Sequence, residues 1–278
     1  MDILNLKLHY ERDKDYQAIR YFSLNEKGRD FVVGDIHGMY TLLMDALKAV
    51  EFDVNKDRLF CVGDFFDRGP ECHKMIEFIE WLERHGGGTV IGNHDDLVLS
   101  TIAYNERTDP DECSDGYQWI AYQDDEWRQK AFKKLRTLPV AIEIETNIGK
   151  IGIVHAGIPI GMHWSVFKKE INNIPLPNSL YNKTIWDWDR NKLKIETVVD
   201  GVERIFVGHC DDENVRIYGN VYHVDTGAVY KFLGEKRGHL TIADITANNE
   251  SFLKPTKKGM IAVVKAAQLD ESLEYAKP

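Results

Sequence analysis

Three short segments of the chain place oxygen and imidazole side chains at nearly equal spacing, each directly after an apolar run. The first contains Asp35 and His37, the second contains Asp64, and the third contains Asn93. Carboxylate, imidazole and amide groups in this combination suit a pair of divalent cations. Two ions that share one carboxylate can acidify a bridging water and make it a nucleophile. The segments therefore predict metal-assisted hydrolysis, with Asp64 as the bridging ligand.

The elements around these segments alternate between strand and helix. Apolar side chains at helical spacing follow the first segment, as is typical of an amphipathic helix, and a glycine run at 86–88 marks the end of the next helix. Such alternation predicts a parallel sheet, whose ligands lie beyond the carboxyl ends of the strands, where all three segments fall. We expect strands at about 30–34, 58–63 and 89–92, and helices at about 40–50, 75–85 and 95–105.

The second half of the chain is predicted to form another sheet that packs against the first. Residues 140–146 alternate with period two and turn into the run 151–154, which predicts a β-hairpin ending at His155. The proline-bearing segment 174–183 is predicted to be a loop. Further short strands are expected at 204–207, 221–224 and 239–245.

The stretch 104–136 differs in character, because acidic residues are interleaved with aromatic ones such as Trp119 and Trp127. We interpret it as a helical insertion over the site. Two interpretations stay open for its surface: a solvated acidic face with the aromatic side chains packed beneath it, or a lid that contacts the substrate. The polar tail contains one apolar run, 260–264, to which the sequence assigns no position.

Composition limits the classes of function. A chain of 278 residues with 43% hydrophobic residues can bury one large core. Its net charge of −10 argues against nucleic-acid binding, but not against a small anion held by cations. The four cysteines form no regular framework. No apolar run reaches the roughly 20 residues of a membrane span, and the start lacks a secretory signal. We therefore expect a cytoplasmic protein without membrane or nucleic-acid partners.

The three segments belong to a longer series of motifs. The series resembles the phosphoprotein phosphatase branch of the calcineurin-like metallophosphoesterases, and within it the compact bacteriophage and bacterial Ser/Thr protein phosphatases. The resemblance covers roughly residues 21–245. Its motifs are Gly34-Asp35-Ile36-His37-Gly38, Gly63-Asp64-Phe65-Phe66-Asp67-Arg68-Gly69, Gly92-Asn93-His94-Asp95, Val154-His155-Ala156-Gly157, Gly208-His209-Cys210 and Asp225-Thr226-Gly227-Ala228.

The resemblance implies an α/β fold, a calcineurin-like metallophosphoesterase β-sandwich flanked by helices, with the helical insertion at 104–136. It places the catalytic domain at 29–247, between an N-terminal extension at 1–28 and a C-terminal extension at 248–278. The implied activity is metal-dependent hydrolysis of phosphate monoesters, foremost phosphoserine and phosphothreonine in proteins, by in-line attack of a metal-bridging hydroxide. The expected partner is therefore a phosphoprotein or a small phosphoester substrate.

The resemblance also implies the cofactor, which is a pair of divalent metal ions. Manganese is expected, since mixed oxygen and imidazole ligands suit it. Iron and zinc are alternatives, because ligand types alone do not select among these ions. The implied ligands are Asp35 and His37 for one ion, Asn93, His155 and His209 for the second, and Asp64 for both.

Three further residues receive catalytic roles from the resemblance. His94 would protonate the leaving oxygen, and Asp67 would orient it, since a carboxylate fixes the tautomer of an imidazole and supports its charged form. Arg68 would bind the phosphate through two guanidinium hydrogen bonds. The alternative for Asp67 and Arg68 is a structural ion pair at a turn.

Departures from the family pattern bear on the substrate. Protein phosphatases usually have glutamate at position 95, and the related diadenosine tetraphosphate hydrolases share the aspartate found here. Those hydrolases typically lack the carboxylate that Asp67 supplies, so Asp67 favours a phosphomonoesterase. Cys210 replaces a frequent threonine, which should be tolerated. Trp188 occupies the register of a second phosphate-binding arginine, and Arg190 is the candidate to take over that role.

Two alternative functions remain open. The first is a hydrolase of dinucleoside polyphosphates, such as diadenosine tetraphosphate, on the same scaffold. The second belongs to another class and is an inactive module that binds phosphate or a partner. The full set of ligands, together with His94 and Asp67, argues against the inactive module, which would not need them.

Overall fold

Two β-sheets face each other across an apolar core, and helices cover their outer sides. The computed structural model describes residues 16–103, 118–173, 179–187, 189–247 and 261–265. In chain order the elements are β1 (Ile19–Phe22), β2 (Asp30–Val33), α1 (Tyr40–Ala49), β3 (Arg58–Cys61), α2 (Met75–Arg84), β4 (Gly88–Thr89), α3 (Asn93–Ala103), α4 (Gln118–Ala121), α5 (Asp125–Leu135), β5 (Ala141–Thr146), β6 (Gly149–Val154), α6 (Trp164–Asn173), α7 (Ser179–Trp186), α8 (Asp189–Leu193), β7 (Arg204–Val207), β8 (Arg216–Tyr218), β9 (Val221–His223), β10 (His239–Asp244) and β11 (Ile261–Lys265).

The sheets are mixed, and their parallel parts are built from strand–helix–strand units. One sheet has the strand order β11-β10-β2-β3-β4, and the other has the order β1-β5-β6-β7-β9-β8. β2, β3 and β4 run parallel, with α1 and α2 as the connections between them. In the second sheet, β5 and β6 form the predicted antiparallel hairpin, and β6, β7 and β9 run parallel. The predicted α/β fold with two sheets flanked by helices is thus confirmed.

Successive residues of β2 face two different cores, as the pleat of a strand requires. Phe31 and Val33 pack in the core between this sheet and the helices, together with Leu43 of α1 and Ile76 of α2. Val32 points the opposite way, into the core between the two sheets. This burial on both faces explains why the strands that lead to the candidate site appear in the sequence as continuous apolar runs.

The candidate ligands follow the carboxyl ends of strands in both sheets. They are Asp35 and His37 after β2, Asp64 after β3, Asn93 after β4, His155 after β6 and His209 after β7. His155 Nδ1 lies 2.7 Å from the Val62 carbonyl oxygen, a contact that joins the end of β6 to the end of β3. The two sheets therefore bring their strand ends to one place.

The segment 174–183 is only partly as predicted. Residues 174–178 lie outside the described part of the chain, but α7 begins at Ser179, so the prediction of a loop is wrong for 179–183. The helix buries Leu180 and Tyr181, and the Tyr181 hydroxyl donates a hydrogen bond to Asp96 Oδ1 at 2.7 Å. Tertiary burial of these side chains, which local sequence does not reveal, stabilises the helix.

The sheets take in strands from beyond the predicted limits of the catalytic domain. β1 lies in the charged lead-in and pairs in parallel with β5, with Ile19 opposite Ala141. β11 lies in the polar tail and pairs antiparallel with β10, with Ile261 opposite Ala243. Both are short edge strands with no clear alternation in sequence. The domain boundaries at 28 and 248 stay predictions, but the sheets draw residues from both sides of them.

The described part of the insertion consists of α4 and α5. Trp119 and Trp127 pack on Phe66, as expected if the aromatic residues lie beneath the surface. The acidic residues of 104–117 lie outside the described part of the chain. None of the helices in the described ranges is long and apolar enough to cross a membrane.

Candidate metal centre and proton donor

The loops that carry the candidate residues have unusual backbone conformations. Among the described residues other than glycine, seven have positive φ. Five of these are candidate site residues: His37 (44°), Asp64 (52°), Asp67 (73°), Arg68 (69°) and His209 (68°). Side chains other than glycine occupy this region at a cost in free energy, and such residues concentrate at functional sites. The fold therefore holds these loops in the conformations that aim their side chains inward.

Two glycines let the backbone approach the candidate carboxylates. A Cβ atom at Gly92 would overlap Asp64 Oδ1, and a Cβ atom at Gly208 would overlap Asp35 Oδ1. Only a residue without a side chain fits at either position. Gly92 and Gly208 thus leave the space that the carboxylates of Asp64 and Asp35 occupy.

Asp64 belongs to two groups of side chains that could each hold a metal ion. The first group consists of His37, Asp64 and His94, and the second of Asp64, His155 and His209. Asp64 Oδ2 is 3.8 Å from His37 Nε2 on one side and 3.3 Å from His155 Nε2 on the other. One carboxylate oxygen thus faces both groups, which is the geometry that a bridging ligand needs.

The imidazole rings of His37 and His155 are oriented by the backbone. The Nδ1 atom of each ring lies 2.7 Å from a carbonyl oxygen, that of Phe66 for His37 and that of Val62 for His155. A carbonyl oxygen only accepts, so Nδ1 donates in each ring and Nε2 is the nitrogen that faces the site. Backbone partners of this kind fix the tautomer of metal-binding histidines.

Asn93 joins the second group through its amide oxygen. Asn93 Oδ1 is 2.8 Å from His155 Nε2 and 2.8 Å from His209 Nδ1. Burial lowers the pKa of His209 to about 4, and the neighbouring His155 adds to the effect. Burial likewise lowers the pKa of His37 to about 3. Neutral imidazole is the form that binds metal, so both rings are in the required state at neutral pH.

Asp35 provides a test of whether a cation fits here. Its Oδ2 accepts a hydrogen bond from the His209 backbone N–H at 2.9 Å, but its Oδ1 is buried without a hydrogen-bond partner. Burial and the nearby carboxylates of Asp225 and Asp64 raise the pKa of Asp35 well above its usual range. A buried carboxylate oxygen without a donor is unfavourable unless a cation compensates it. The donor set therefore fits divalent metal.

His94, a member of the first group, forms a hydrogen-bonded pair with Asp67. His94 Nδ1 lies 2.8 Å from Asp67 Oδ2, and the carboxylate is completely buried. Burial lowers the pKa of His94, but the charges of Asp64 and Asp67 outweigh it and raise the pKa above its usual value. The imidazole can therefore carry a proton near neutral pH, with Asp67 supporting the charged form.

Arg68 contacts both His37 and His94 through its guanidinium group. Its Nη1 is 3.1 Å from His37 Nε2, and its Nη2 is 3.1 Å from His94 Nε2. The structure thus brings Arg68, His94 and Asp67 together with the two ligand groups. Asp67 pairs with His94, and the structural Asp67–Arg68 ion pair considered as an alternative is not seen among the described contacts.

Arg190 has a different environment. It is buried, and its Nη1 donates hydrogen bonds to the carbonyl oxygens of Ile195 at 2.8 Å and Thr197 at 2.7 Å. No described contact joins it to the two ligand groups. Trp188, at the register of the family's arginine, lies outside the described residues. The phosphate-binding role of Arg190 stays a prediction.

Asp95 has a role that the sequence did not reveal. Its Oδ2 accepts from the backbone N–H groups of Asp64 and Gly92, both at 2.9 Å, and its Oδ1 accepts from Phe65 N–H at 2.8 Å. The carboxylate therefore ties the second motif to the third and supports the strained conformation of Asp64. Burial, together with the charge of Asp64, raises the pKa of Asp95 to about 7.

Asp225 and Trp119 were also missed as functional candidates. Asp225 lies beside Asp35 and accepts a hydrogen bond from Gly227 N–H at 2.9 Å, and burial raises its pKa to about 6. Trp119 donates its indole N–H to Asp67 Oδ1 at 2.7 Å. The sequence could have indicated a role for Asp225, because it stands in one of the matched motifs. Nothing in the sequence around Trp119 indicates its contact with Asp67.

Comparison with known proteins adds independent information. A sequence profile described as calcineurin-like phosphoesterase matches residues 31–243. Serine/threonine-protein phosphatase 2 of Escherichia coli is 31% identical over 212 residues, which are 71% of this chain and 87% of that protein. The symmetrical bis(5'-nucleosyl)-tetraphosphatase of Nitrosococcus oceani is 33% identical over 129 residues, 46% of this chain and 44% of that protein.

Solved structures with the same fold extend the comparison. A protein serine/threonine phosphatase from Saccharomyces cerevisiae superposes with a TM-score of 0.61, over 96% of this chain and 89% of that one. The sequence identity is 15%, so the likeness concerns the fold alone.

Proposed function

The chain belongs to the calcineurin-like phosphoesterase family, and from this premise we propose that it hydrolyses phosphate monoesters with the help of two divalent metal ions. The proposed substrates are phosphoserine and phosphothreonine in proteins. One observation carries the proposal: Asp64 Oδ2 lies between His37 and His155 and belongs to both groups, and His94 of the first group is paired with Asp67.

The proposed ligands divide between the two ions. When bound, the ions would supply a nucleophile from water and neutralise the charge of the phosphoryl oxygens. Manganese is proposed, with iron and zinc as alternatives, since hard oxygens and imidazole nitrogens are mixed. Asp35 and His37 would bind one ion, Asn93, His155 and His209 the other, and Asp64 both.

The remaining residues act on the substrate directly or through a neighbour. We assign to His94 the donation of a proton to the leaving oxygen, because its Nε2 faces the site while Nδ1 is held by Asp67. Arg68 reaches His37 and His94 with two different nitrogens, so its guanidinium fork lies where it can hold two phosphate oxygens. Binding of phosphate would replace these contacts with two charge-assisted hydrogen bonds.

A dinucleoside polyphosphate hydrolase is the second candidate function. It is favoured by the likeness to the Nitrosococcus oceani tetraphosphatase and by Asp95 in the third motif. The protein phosphatase proposal is favoured by the longer match to the Escherichia coli enzyme, which covers 87% of that protein against 44% for the tetraphosphatase. The hydrogen-bonded pair of His94 and Asp67 also favours the protein phosphatase, since an alkyl leaving group requires a proton donor.

One assay distinguishes these functions. In manganese, we expect kcat/KM to be higher for a phosphoserine or phosphothreonine peptide than for diadenosine tetraphosphate, with inorganic phosphate as the measured product. A higher value for the dinucleotide would make the second candidate the function. Binding of phosphate without turnover of any ester would make the chain an inactive module.

The two arginines should respond differently to substitution. Arg68→Ala should lower kcat/KM by about ten- to a hundredfold, because a hydrogen bond to a charged group contributes about 1.5 to 3 kcal/mol. Arg190→Ala should lower the Tm by about 2 to 8 °C, because its contacts support the loop at 195–197, and a phosphate-binding role would add a loss of at least tenfold in kcat/KM. Initial-rate kinetics and thermal melts measure both. A tenfold rise in KM for Arg190→Ala at unchanged Tm would support its role in phosphate binding.

A further inference from the structure

A chain of hydrogen bonds leads from the insertion into the proposed proton donor. The Trp119 indole Nε1 donates to Asp67 Oδ1 at 2.7 Å, and Asp67 Oδ2 lies 2.8 Å from His94 Nδ1. Each carboxylate oxygen of Asp67 thus has its own partner. Fixing both oxygens fixes the plane of the carboxylate and hence the direction from which it meets the imidazole.

The indole of Trp119 is itself held by packing. Its ring stacks on Phe66 with centroids 5.6 Å apart and planes 8° apart, and it meets Trp127 edge to face at 5.3 Å. Only 4% of Trp119 is exposed. Phe66 belongs to the second motif, directly before Asp67, so the ring packs against the same loop whose carboxylate it binds. The ring therefore has little freedom to point its N–H elsewhere.

Burial makes the indole hydrogen bond important for Asp67. The carboxylate is 0% exposed, so water cannot replace a lost donor. Within the described residues, the indole of Trp119 is the one donor seen for Oδ1. A buried carboxylate oxygen without a donor is strongly disfavoured. Without the indole, the carboxylate would rotate toward another donor and weaken its bond to His94.

We propose that Trp119 is a positioning residue of the site, through which the insertion orients the Asp67 carboxylate and so aims His94 at the leaving oxygen. The inference rests on the proposed function in one respect, that His94 is the proton donor. It gives the insertion a part in the reaction that differs from both a solvated face and a lid. The logic is that of a carboxylate holding a catalytic imidazole, with one more residue holding the carboxylate.

Trp119→Phe and Trp127→Phe form a matched pair of variants. Each removes an indole from the same aromatic cluster, but the Trp127 N–H donates to the His73 carbonyl oxygen, away from Asp67. For an alkyl phosphate, kcat should fall by about ten- to a hundredfold in Trp119→Phe, the usual loss when an outer partner of a site residue is removed. KM should be unchanged, and the loss should shrink for nitrophenyl phosphate, whose leaving group needs little protonation. Trp127→Phe, which keeps an aromatic ring against Trp119, should show neither effect.

A second variant covers the case in which Trp119→Phe does not fold. Replacement of Trp119 by 3-benzothienylalanine keeps the shape of the indole and exchanges only the N–H for sulfur. It should reproduce the loss of kcat on the alkyl phosphate. In addition, Trp119→Phe in an Asp67→Asn background should cost little more than Asp67→Asn alone, because a residue that acts through Asp67 has nothing left to position.

A spectroscopic measurement tests the same inference without metal or substrate. In the metal-free protein, the Nδ1 proton of His94, identified by its absence from His94→Asn, should resonate far downfield because it is bonded to a buried carboxylate. This resonance should shift or disappear in both Trp119 variants and stay in Trp127→Phe. An unchanged resonance, or equal kinetic losses in the variants at 119 and 127, would overturn the inference.

The outcomes separate the inference from the function on which it rests. An active wild-type enzyme whose His94→Asn variant shows the leaving-group effect, while the Trp119 variants match Trp127→Phe, refutes only the positioning role. A wild-type protein that hydrolyses no phosphoester in manganese refutes the proposed function. In that case a shift of the His94 resonance in the Trp119 variants still supports the hydrogen-bond chain.

Discussion

Asp64→Ala should abolish phosphoester hydrolysis and reduce the bound divalent cations from two per chain to one or none. The reason is that Asp64 Oδ2 faces His37 Nε2 at 3.8 Å and His155 Nε2 at 3.3 Å, so its removal takes a ligand from both groups at once. Paired ions contribute several kcal/mol of transition-state charge stabilisation, which corresponds to a loss of roughly three orders of magnitude or more. Elemental analysis and initial rates measure the two effects.

The control for this prediction is Asp45→Ala, which removes an exposed carboxylate on α1. It should keep both the activity and the metal content. Chelation of the wild-type protein should abolish activity, and manganese should restore it. Full activity of the wild type with a single tightly bound ion per chain would contradict the two-metal arrangement.

The strand ends explain why much of the site could be predicted from the sequence. Asp35, Asp64 and Asn93 each follow an apolar run, and parallel strands bring their carboxyl ends to one edge without any further information. The resemblance added His155 and His209 and named the family, and the family is confirmed. The structure brings all five residues to the place where the strand ends of the two sheets meet. Asp64, Asn93, His155 and His209 make up the second group, and Asp35 accepts a hydrogen bond from the His209 backbone.

Contacts between distant parts of the chain account for most of what the sequence did not predict. Trp119 and Asp67 are 52 positions apart, and no periodic pattern links an insertion to a loop at the end of a strand. Asp95 was visible in the third motif but was interpreted through substrate class alone. Two of its three backbone hydrogen bonds, from Asp64 and Phe65 of the second motif, exist only once the loops have met.

Short edge strands were missed for a related physical reason. β1 and β11 acquire their conformation by pairing with β5 and β10, strands far away in sequence. A strand of four or five residues has too few positions to show a clear alternation of apolar and polar residues. Within a polar segment, such a strand is therefore not predicted from its sequence. α7 illustrates the same effect for a helix, since the burial of Tyr181 against Asp96 decides its structure.

His94→Asn should lower kcat for an alkyl phosphate by about 10² to 10⁴, the usual contribution of a general acid. The substitution removes the proton donor but leaves Asn93 and the other proposed ligands in place. Binding of metal and substrate should therefore change little. The loss should be much smaller for nitrophenyl phosphate, because its leaving group departs as a stable anion. Rates across a series of leaving groups of increasing acidity measure this dependence.

The comparison of leaving groups distinguishes proton donation from a structural role of His94. A structural role would slow all substrates equally, because a displaced metal ligand affects every ester. His73→Asn, which alters an exposed histidine outside the site, is the control and should leave the whole series unchanged. Asp67→Asn should show a milder form of the His94 pattern, since it leaves the imidazole in place but removes the carboxylate that supports its charge. An equal loss for alkyl and nitrophenyl phosphates in His94→Asn would refute its assignment as the acid, and the proton would then have to come from water or from another residue near the site.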